Sequence, residues 1–412
     1  MEQNTTCDLL SGILDDTLCG ELEELKSKNL YRALKSFEPI DAVHARCEGK
    51  KITLFSTNDY LGLSRDPRII EAFTKEARRS GTGASASRLI SGTFDAHTRL
   101  EEKLAAFKKK EAAIVFATGY TTNVGTISSL CSKEDLIIID KLNHASIIDG
   151  CRLSGATLRV YPHKSIGKLE SLLSHSGNFR RTLIITDSVF SMDGDLALLR
   201  EIVTLKEKYG AFLMVDEAHA TGVFGEGGRG LAEREGVEDK VDITMGTFSK
   251  ACGLLGGFIA GSSVLINYLK NKARSFIYST ALPSPIMSAV AKSFEIIETD
   301  KALQEKLWRN IEHTRNGLTD LGLNIGKTAS PIVPVFVGDE KQTIRFSSLL
   351  FEQGIFVPGI RPPTVPKGTS RLRVSISAAH TKDDVEKLIF SFRSIRREQA
   401  CPFPTIKNIG KL

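Results

Sequence analysis

The sequence predicts an α/β fold built on a mainly parallel sheet, for three reasons. Short runs at 112–117, 136–140, 158–161, 182–187, 211–216, 243–246 and 257–260 are continuously apolar rather than alternating, as in strands covered on both faces. Helical patterns separate them, the order of βαβ units. Chemically distinctive residues close several of the runs, at the carboxyl ends where open α/β sheets place their sites.

In chain order, residues 1–51 read as an N-terminal helical arm, because Leu22, Leu25, Leu30 and Leu34 approximate helical spacing among Glu and Lys. Residues 52–290 form a large domain that holds the apolar runs. Residues 291–400 read as a smaller α+β C-terminal domain, with strands at 332–337, 355–357 and 372–376 and a closing helix at 382–397. Residues 401–412, with Pro402 and Pro404, read as a tail without regular structure.

Composition narrows the function classes. At 412 residues, 41% hydrophobic and 25% charged, the chain can bury a large core. Its net charge of +6 is small for this length and its lysines are dispersed, so no nucleic-acid stripe is expected. Residues 251–269 carry no charge and approach the length of a bilayer crossing, but Gly253, Gly256, Gly257 and Gly261 suit a loop, a buried strand and a short helix, and no membrane span is expected. The seven cysteines (Cys7, Cys19, Cys47, Cys131, Cys151, Cys252, Cys401) form no C-x-x-C pair, which suits free thiols in a reducing compartment. Met1 to Thr6 lacks the basic region of a leader, and Gly410-Lys411-Leu412 is a poor peroxisomal address, so the expected location is cytoplasmic. No metal is expected.

The chemistry concentrates in a few places. Lys250 closes Thr247-Phe248-Ser249-Lys250, just after the strand at 243–246, where a lysine amine can form a Schiff base with an aldehyde. Asp216 ends the apolar stretch Phe212-Leu213-Met214-Val215, and a carboxylate held there can keep a pyridine nitrogen protonated. Taken alone, Lys250 would be a solvated turn residue, and Asp216 with His219 would equally be a metal pair, a helix cap or an ion pair. Their order and their common position at strand ends describe instead a site for pyridoxal phosphate (PLP). His219, and Ser188 after the strand at 182–187, are candidate partners for the ring's phenolic oxygen, although Ser188 alone would be a cap or turn residue. His144, in Asn143-His144-Ala145-Ser146, can stack flat on a planar ring. Gly119 and Tyr120 lie in Thr118-Gly119-Tyr120-Thr121 at a strand-to-helix junction, where free amides favour an anion, and Thr247 and Ser249 add hydroxyls for a phosphate. No G-x-x-x-x-G-K-[ST] occurs, so a nucleotide P-loop is not indicated.

These residues stand in segments that resemble the α-oxoamine synthases, PLP enzymes of fold type I. The resemblance runs from about Asn58 to Thr381 and rests on Asn58-Asp59-Tyr60-Leu61-Gly62-Leu63, Ser87 to Thr93, Asn143 to Ser146, Asp187 to Asp195, Asp216 to Gly222 and Thr247 to Lys250. The segment from Ile360 to Arg373 is most similar to the biotin-biosynthetic branch. The resemblance implies a decarboxylative Claisen condensation of an amino acid with an acyl-CoA or acyl-carrier-protein thioester. It implies Lys250 as cofactor lysine and base, and Arg373 and Asn58 as carboxylate ligands, with Arg361 as a further substrate contact. It also implies a homodimer with sites at the interface, Thr280 reaching the neighbour's phosphate. Acyl length and the choice of alanine or glycine stay open, as does a binding module that keeps the fold without turnover.

Overall fold

The computed structural model describes residues 12–398, so Cys7, Cys401, the expected tail and both chain ends lie outside the described residues. A seven-stranded sheet runs in the order Ala112–Phe116, Gly257–Gly261, Ile243–Thr247, Phe212–Asp216, Thr182–Asp187, Leu136–Asp140, Thr157–Tyr161. Gly257–Gly261 is antiparallel to both neighbours, and the ladders from Ile243–Thr247 outward to Thr157–Tyr161 are parallel. Every expected strand of this sheet is present, its ends shifted by no more than one residue.

The continuous hydrophobicity has a direct cause. Successive strand residues face opposite sides, and both sides are covered. Ile138, Ile184, Leu213 and Val215 join one core with Leu100, Leu104 and Phe294. Ile137, Ile139, Leu183, Ile185 and Met214 join a second core with Ile127 and Ile147. The uncharged stretch 251–269 resolves into the strand Gly257–Gly261 and the start of the helix Ser263–Lys272, and no described helix is long and apolar enough to cross a membrane.

Two expectations about organisation need correction. Among the described residues, the arm is helical only over Ile13–Ser27, and that helix buries none of its residues. Glu38–Pro39, His44–Cys47 and Lys50–Leu54 are antiparallel strands, which Ile355–Phe356 joins in parallel. Val43, Ala45 and Cys47 are buried between more exposed neighbours, a two-residue period that the leucine spacing upstream obscured. The break expected at 290 falls inside the helix Ser284–Thr299, whose buried Met287, Val290 and Phe294 form one uninterrupted face. Beyond it, Ile332–Gly338, Ser370–Ser375 and Gly359–Ile360 form an antiparallel sheet.

The loop after Thr182–Asp187 is tied to that C-terminal sheet at Gly194. Its carbonyl accepts from the backbone N–H of Ala329 at 3.0 Å, and its φ is +68°. A Cβ at this position would lie 2.0 Å from the Ile332 carbonyl oxygen. Gly194→Ala is therefore expected to lower the unfolding free energy by about 1–3 kcal/mol through backbone strain and collision. Urea denaturation checks this, and a change under about 0.5 kcal/mol, the size of an ordinary surface substitution, would contradict it.

Candidate active site

Asp187 and Asp216 are register partners at the ends of adjacent parallel strands, which places two buried carboxylates side by side. They open into a cavity of about 460 Å³, whose lining also includes Asn58, Gly119, Tyr120, Asn123, His144, His219, Thr247, Ser249, Lys250 and Arg373. That volume lies in the range of small-molecule and cofactor sites. Burial and the neighbouring Asp216 charge push the Asp187 carboxyl well above its ordinary value.

Asp216 is held from both sides: one oxygen accepts from the Asn123 amide at 2.8 Å and the other from the Ala218 N–H at 2.9 Å. The Lys250 amine has no hydrogen-bond or ion-pair partner among the described residues, while its backbone carbonyl accepts from the Gly253 N–H at 2.8 Å. Burial lowers its pKa even though Asp216 and Asp187 act in the opposite direction. Burial also drives His219 well below its ordinary value, with Lys250 and Arg373 adding to the shift. The His219 ring shares a 2.7 Å hydrogen bond with Tyr60, whose hydroxyl lies 3.3 Å from the Asn58 oxygen.

Arg373 is 6% exposed. Its guanidinium donates to the Ser191 carbonyl at 2.7 Å, to the Ser375 hydroxyl at 2.8 Å and to Asn58 Oδ1 at 3.3 Å. All of these acceptors are neutral. A buried guanidinium at a cavity wall without a carboxylate partner is a seat for an anion.

A second anion seat lies at the start of the helix Gly119–Leu130. Thr118 caps it by accepting from the Thr121 N–H at 3.1 Å. A Cβ on Gly257 would come within 2.9 Å of the Gly119 Cα, so glycine lets this helix start press against the sheet. The Thr247 hydroxyl, 2.9 Å from that of Ser249, stands beside it. Amides at the first turn and two hydroxyls suit a phosphate.

Two expected site residues stand elsewhere, and Thr280, expected to reach a neighbouring protomer's phosphate, lies outside this chain's own cavity. Ser188 is fully buried and its hydroxyl donates to the Asp216 carbonyl at 2.9 Å, so it braces the strand ends from behind rather than facing the cavity. Arg361 donates to the Tyr31 carbonyl. Strand alternation explains its position, since Pro358 and Ile360 line the cavity and Arg361 turns away. Thr280 is exposed and bridges to Ser87, outside the cavity. Asn123, Ser146 and Tyr60 were not singled out from the sequence. Asn123 follows Gly119 by about one helical turn, which was the available signal.

The comparisons with known proteins agree with this geometry. The profile of aminotransferase class I and II matches residues 50–392. The chain belongs to that family. Within the family, it is 45% identical over 372 residues to the 8-amino-7-oxononanoate synthase of Bacillus pumilus, covering 90% of this chain and 95% of the relative. It is 44% identical over 386 residues to the 8-amino-7-oxononanoate synthase of Symbiobacterium thermophilum, covering 93% and 98%. A solved structure of SPT with PLP superposes with a TM-score of 0.90 at 33% identity, covering 95% of this chain and all of that one. The fold is that of fold type I PLP-dependent transferases.

The loop carrying Ser191 and Met192 has an ionic anchor. His163 Nδ1 meets Asp140 and Nε2 meets Asp195, both at 2.9 Å, and Lys164 meets Asp195 at 3.0 Å. Burial would lower the His163 pKa, but the two carboxylates outweigh it and raise the pKa to about 9. A raised folded-state value stabilises fully below the unfolded value of about 6.5, and that stabilisation is lost as pH rises through about 9. Urea titrations are expected to show up to about 3 kcal/mol of stability lost between pH ~6 and ~10, a component that His163→Gln removes. An unchanged pH profile in that variant would contradict the anchor.

Proposed function

We propose that this protein is an 8-amino-7-oxononanoate synthase that condenses L-alanine with a pimeloyl thioester, of CoA or of a carrier protein, to release 8-amino-7-oxononanoate, the thiol and CO₂. The observation that carries this reading is the buried Arg373, whose guanidinium faces the cavity with no carboxylate partner among the described residues, on the same cavity as a lysine whose amine is likewise unpartnered among them. The identity to 8-amino-7-oxononanoate synthases over nearly the whole chain supports the substrate assignment.

PLP is the cofactor of this reading, and the residues present suit it: an amine, a fixed acid, an anion seat and an imidazole on one cavity. When bound, it supplies an electron sink for the pair left at an amino acid's Cα. Asp216 would hold the ring nitrogen and keep a proton on it. Lys250 would hold the cofactor aldehyde, and its amine would take the proton at the substrate Cα and return one, for which its lowered pKa is suited. His144 would cover one face of the ring, and His219, backed by Tyr60, would partner its phenolic oxygen. Gly119, Tyr120, Thr247 and Ser249 seat the phosphate. Arg373 and Asn58 orient the substrate carboxylate. The new bond joins Cα to the thioester carbonyl carbon, the C–S bond breaks, and CO₂ leaves from the resulting β-keto acid.

A homodimer belongs to the same reading. The exposed Thr280 and the helix Ile13–Ser27, none of whose residues is buried among the described residues, both support it. A cytoplasmic location is supported by the free, buried thiols of Cys47, Cys131, Cys151 and Cys252.

The test is a substrate panel on one preparation. L-Alanine with pimeloyl thioester is expected to exceed glycine with acetyl-CoA in kcat/KM, and the opposite ranking would overturn the synthase assignment. Arg373→Ala is expected to weaken alanine binding by about 2–5 kcal/mol, the effect of removing one partner of a desolvated charge pair, while thioester binding changes little. Equal weakening of both substrates would contradict its role.

A further inference from the structure

Four side chains form a continuous hydrogen-bonded line behind the cavity. The Asn123 amide nitrogen lies 2.8 Å from Asp216 Oδ2 and 2.9 Å from Ser146 Oγ, and Ser146 Oγ lies 2.7 Å from His144 Nδ1. Asn123 is 1% exposed, Ser146 0% and Asp216 4%. The line exists because two helices approach closely. A Cβ on Gly150 would lie 3.1 Å from Ile127 Cβ and 3.2 Å from the Asn123 carbonyl oxygen, so glycine there lets the helix Ala145–Ser154 seat against Gly119–Leu130.

The chemistry fixes the direction of this line. Turning the Asn123 amide over would set its oxygen against a carboxylate oxygen, acceptor against acceptor, so the nitrogen must face Asp216. Both amide hydrogens are then committed, one to Asp216 and one to Ser146. Ser146, accepting from Asn123, has its own proton free to point at His144 Nδ1. The Ser146 backbone N–H also points at that nitrogen, at 3.3 Å. His144 Nδ1 is thus an acceptor, and the proton of the neutral ring sits on Nε2. Meanwhile Asn123 Oδ1 is buried with no hydrogen-bond partner among the described residues. Leaving such an oxygen unpaired is unfavourable, and that is the mark of a side chain kept for its two donors.

We infer that Asn123 is a positioning residue which orients the two walls of the ring site together, fixing the Asp216 carboxylate at one end and, through Ser146, the tautomer and plane of His144 at the other. The inference rests on the proposed reading of this cavity as the PLP site. It places no reacting group on Asn123 itself.

The experiment uses the full-length protein as purified, with isotope-labelled histidine observed by nitrogen NMR, the His144 signal assigned by its loss in His144→Gln, and the PLP dissociation constant followed by visible absorbance. In the parent protein His144 is expected as the Nε2–H tautomer. Asn123→Leu should leave a tautomer mixture and raise the PLP dissociation constant by about tenfold or more, since a charge-assisted bond to Asp216 is gone. Ser146→Ala cuts only the far half of the line. It should shift the His144 signal while changing PLP affinity less than about threefold, and it remains informative if Asn123→Leu does not fold. A parent His144 carrying its proton on Nδ1 overturns the inference, as does a Ser146→Ala spectrum identical to the parent's. So does an Asn123→Leu protein that folds and keeps the parent's tautomer and PLP affinity. A purified parent without visible PLP absorbance would count against the cofactor reading, while the tautomer measurement would still decide the role of Asn123.

Discussion

Two carboxylates brought side by side by strand register, Asp187 and Asp216, constrain everything around this cavity. Adjacent like charges under burial are unfavourable, and the surroundings answer in two ways. Asp187 is pushed toward its neutral form, while Asp216 is clamped by the Asn123 amide and the Ala218 N–H. A cation presented to Asp216, whether the Lys250 ammonium or a protonated ring nitrogen, relieves the remaining charge. The same burial that raises the Asp187 pKa lowers that of Lys250, so one desolvated corner disfavours the charged form of both the acid and the amine.

The second constraint comes from the C-terminal sheet. Arg371 and Arg373 lie two apart on the strand Ser370–Ser375 and so share a face. Their fates differ. Arg371 pairs with Asp193 at 2.7 Å and holds the loop after Thr182–Asp187, whereas Arg373 meets only neutral acceptors among the described residues. On the proposed reading, structural and binding roles divide between two arginines that stand two apart on one strand.

Much of this was legible in the sequence because burial on both faces leaves a strong mark. The seven strands of the central sheet were visible as unbroken apolar runs, and the residues closing them marked Lys250, Asp216, His219 and His144. The failures have physical reasons. Strands at 38–54 are short and close on residues some three hundred positions away, so no local pattern announces their partner Ile355–Phe356. Ser188 and Arg361 lie beside true cavity residues in sequence, but alternation along extended chain turns them from the cavity. Asn123 carried only the weak signal of standing one helical turn after Gly119, because its contacts depend on a helix–helix approach that only the folded chain reveals.

The claim on which the rest depends is that Asp216 holds the ring nitrogen and thereby makes the cofactor an electron sink. Asp216→Asn tests it most directly, because the amide keeps the shape and much of the hydrogen bonding but cannot stabilise a protonated nitrogen. The variant is expected to retain PLP, reducible by borohydride onto Lys250, while losing most of its turnover with L-alanine and pimeloyl thioester. Turnover equal to the parent's in a fully loaded Asp216→Asn protein would contradict the account.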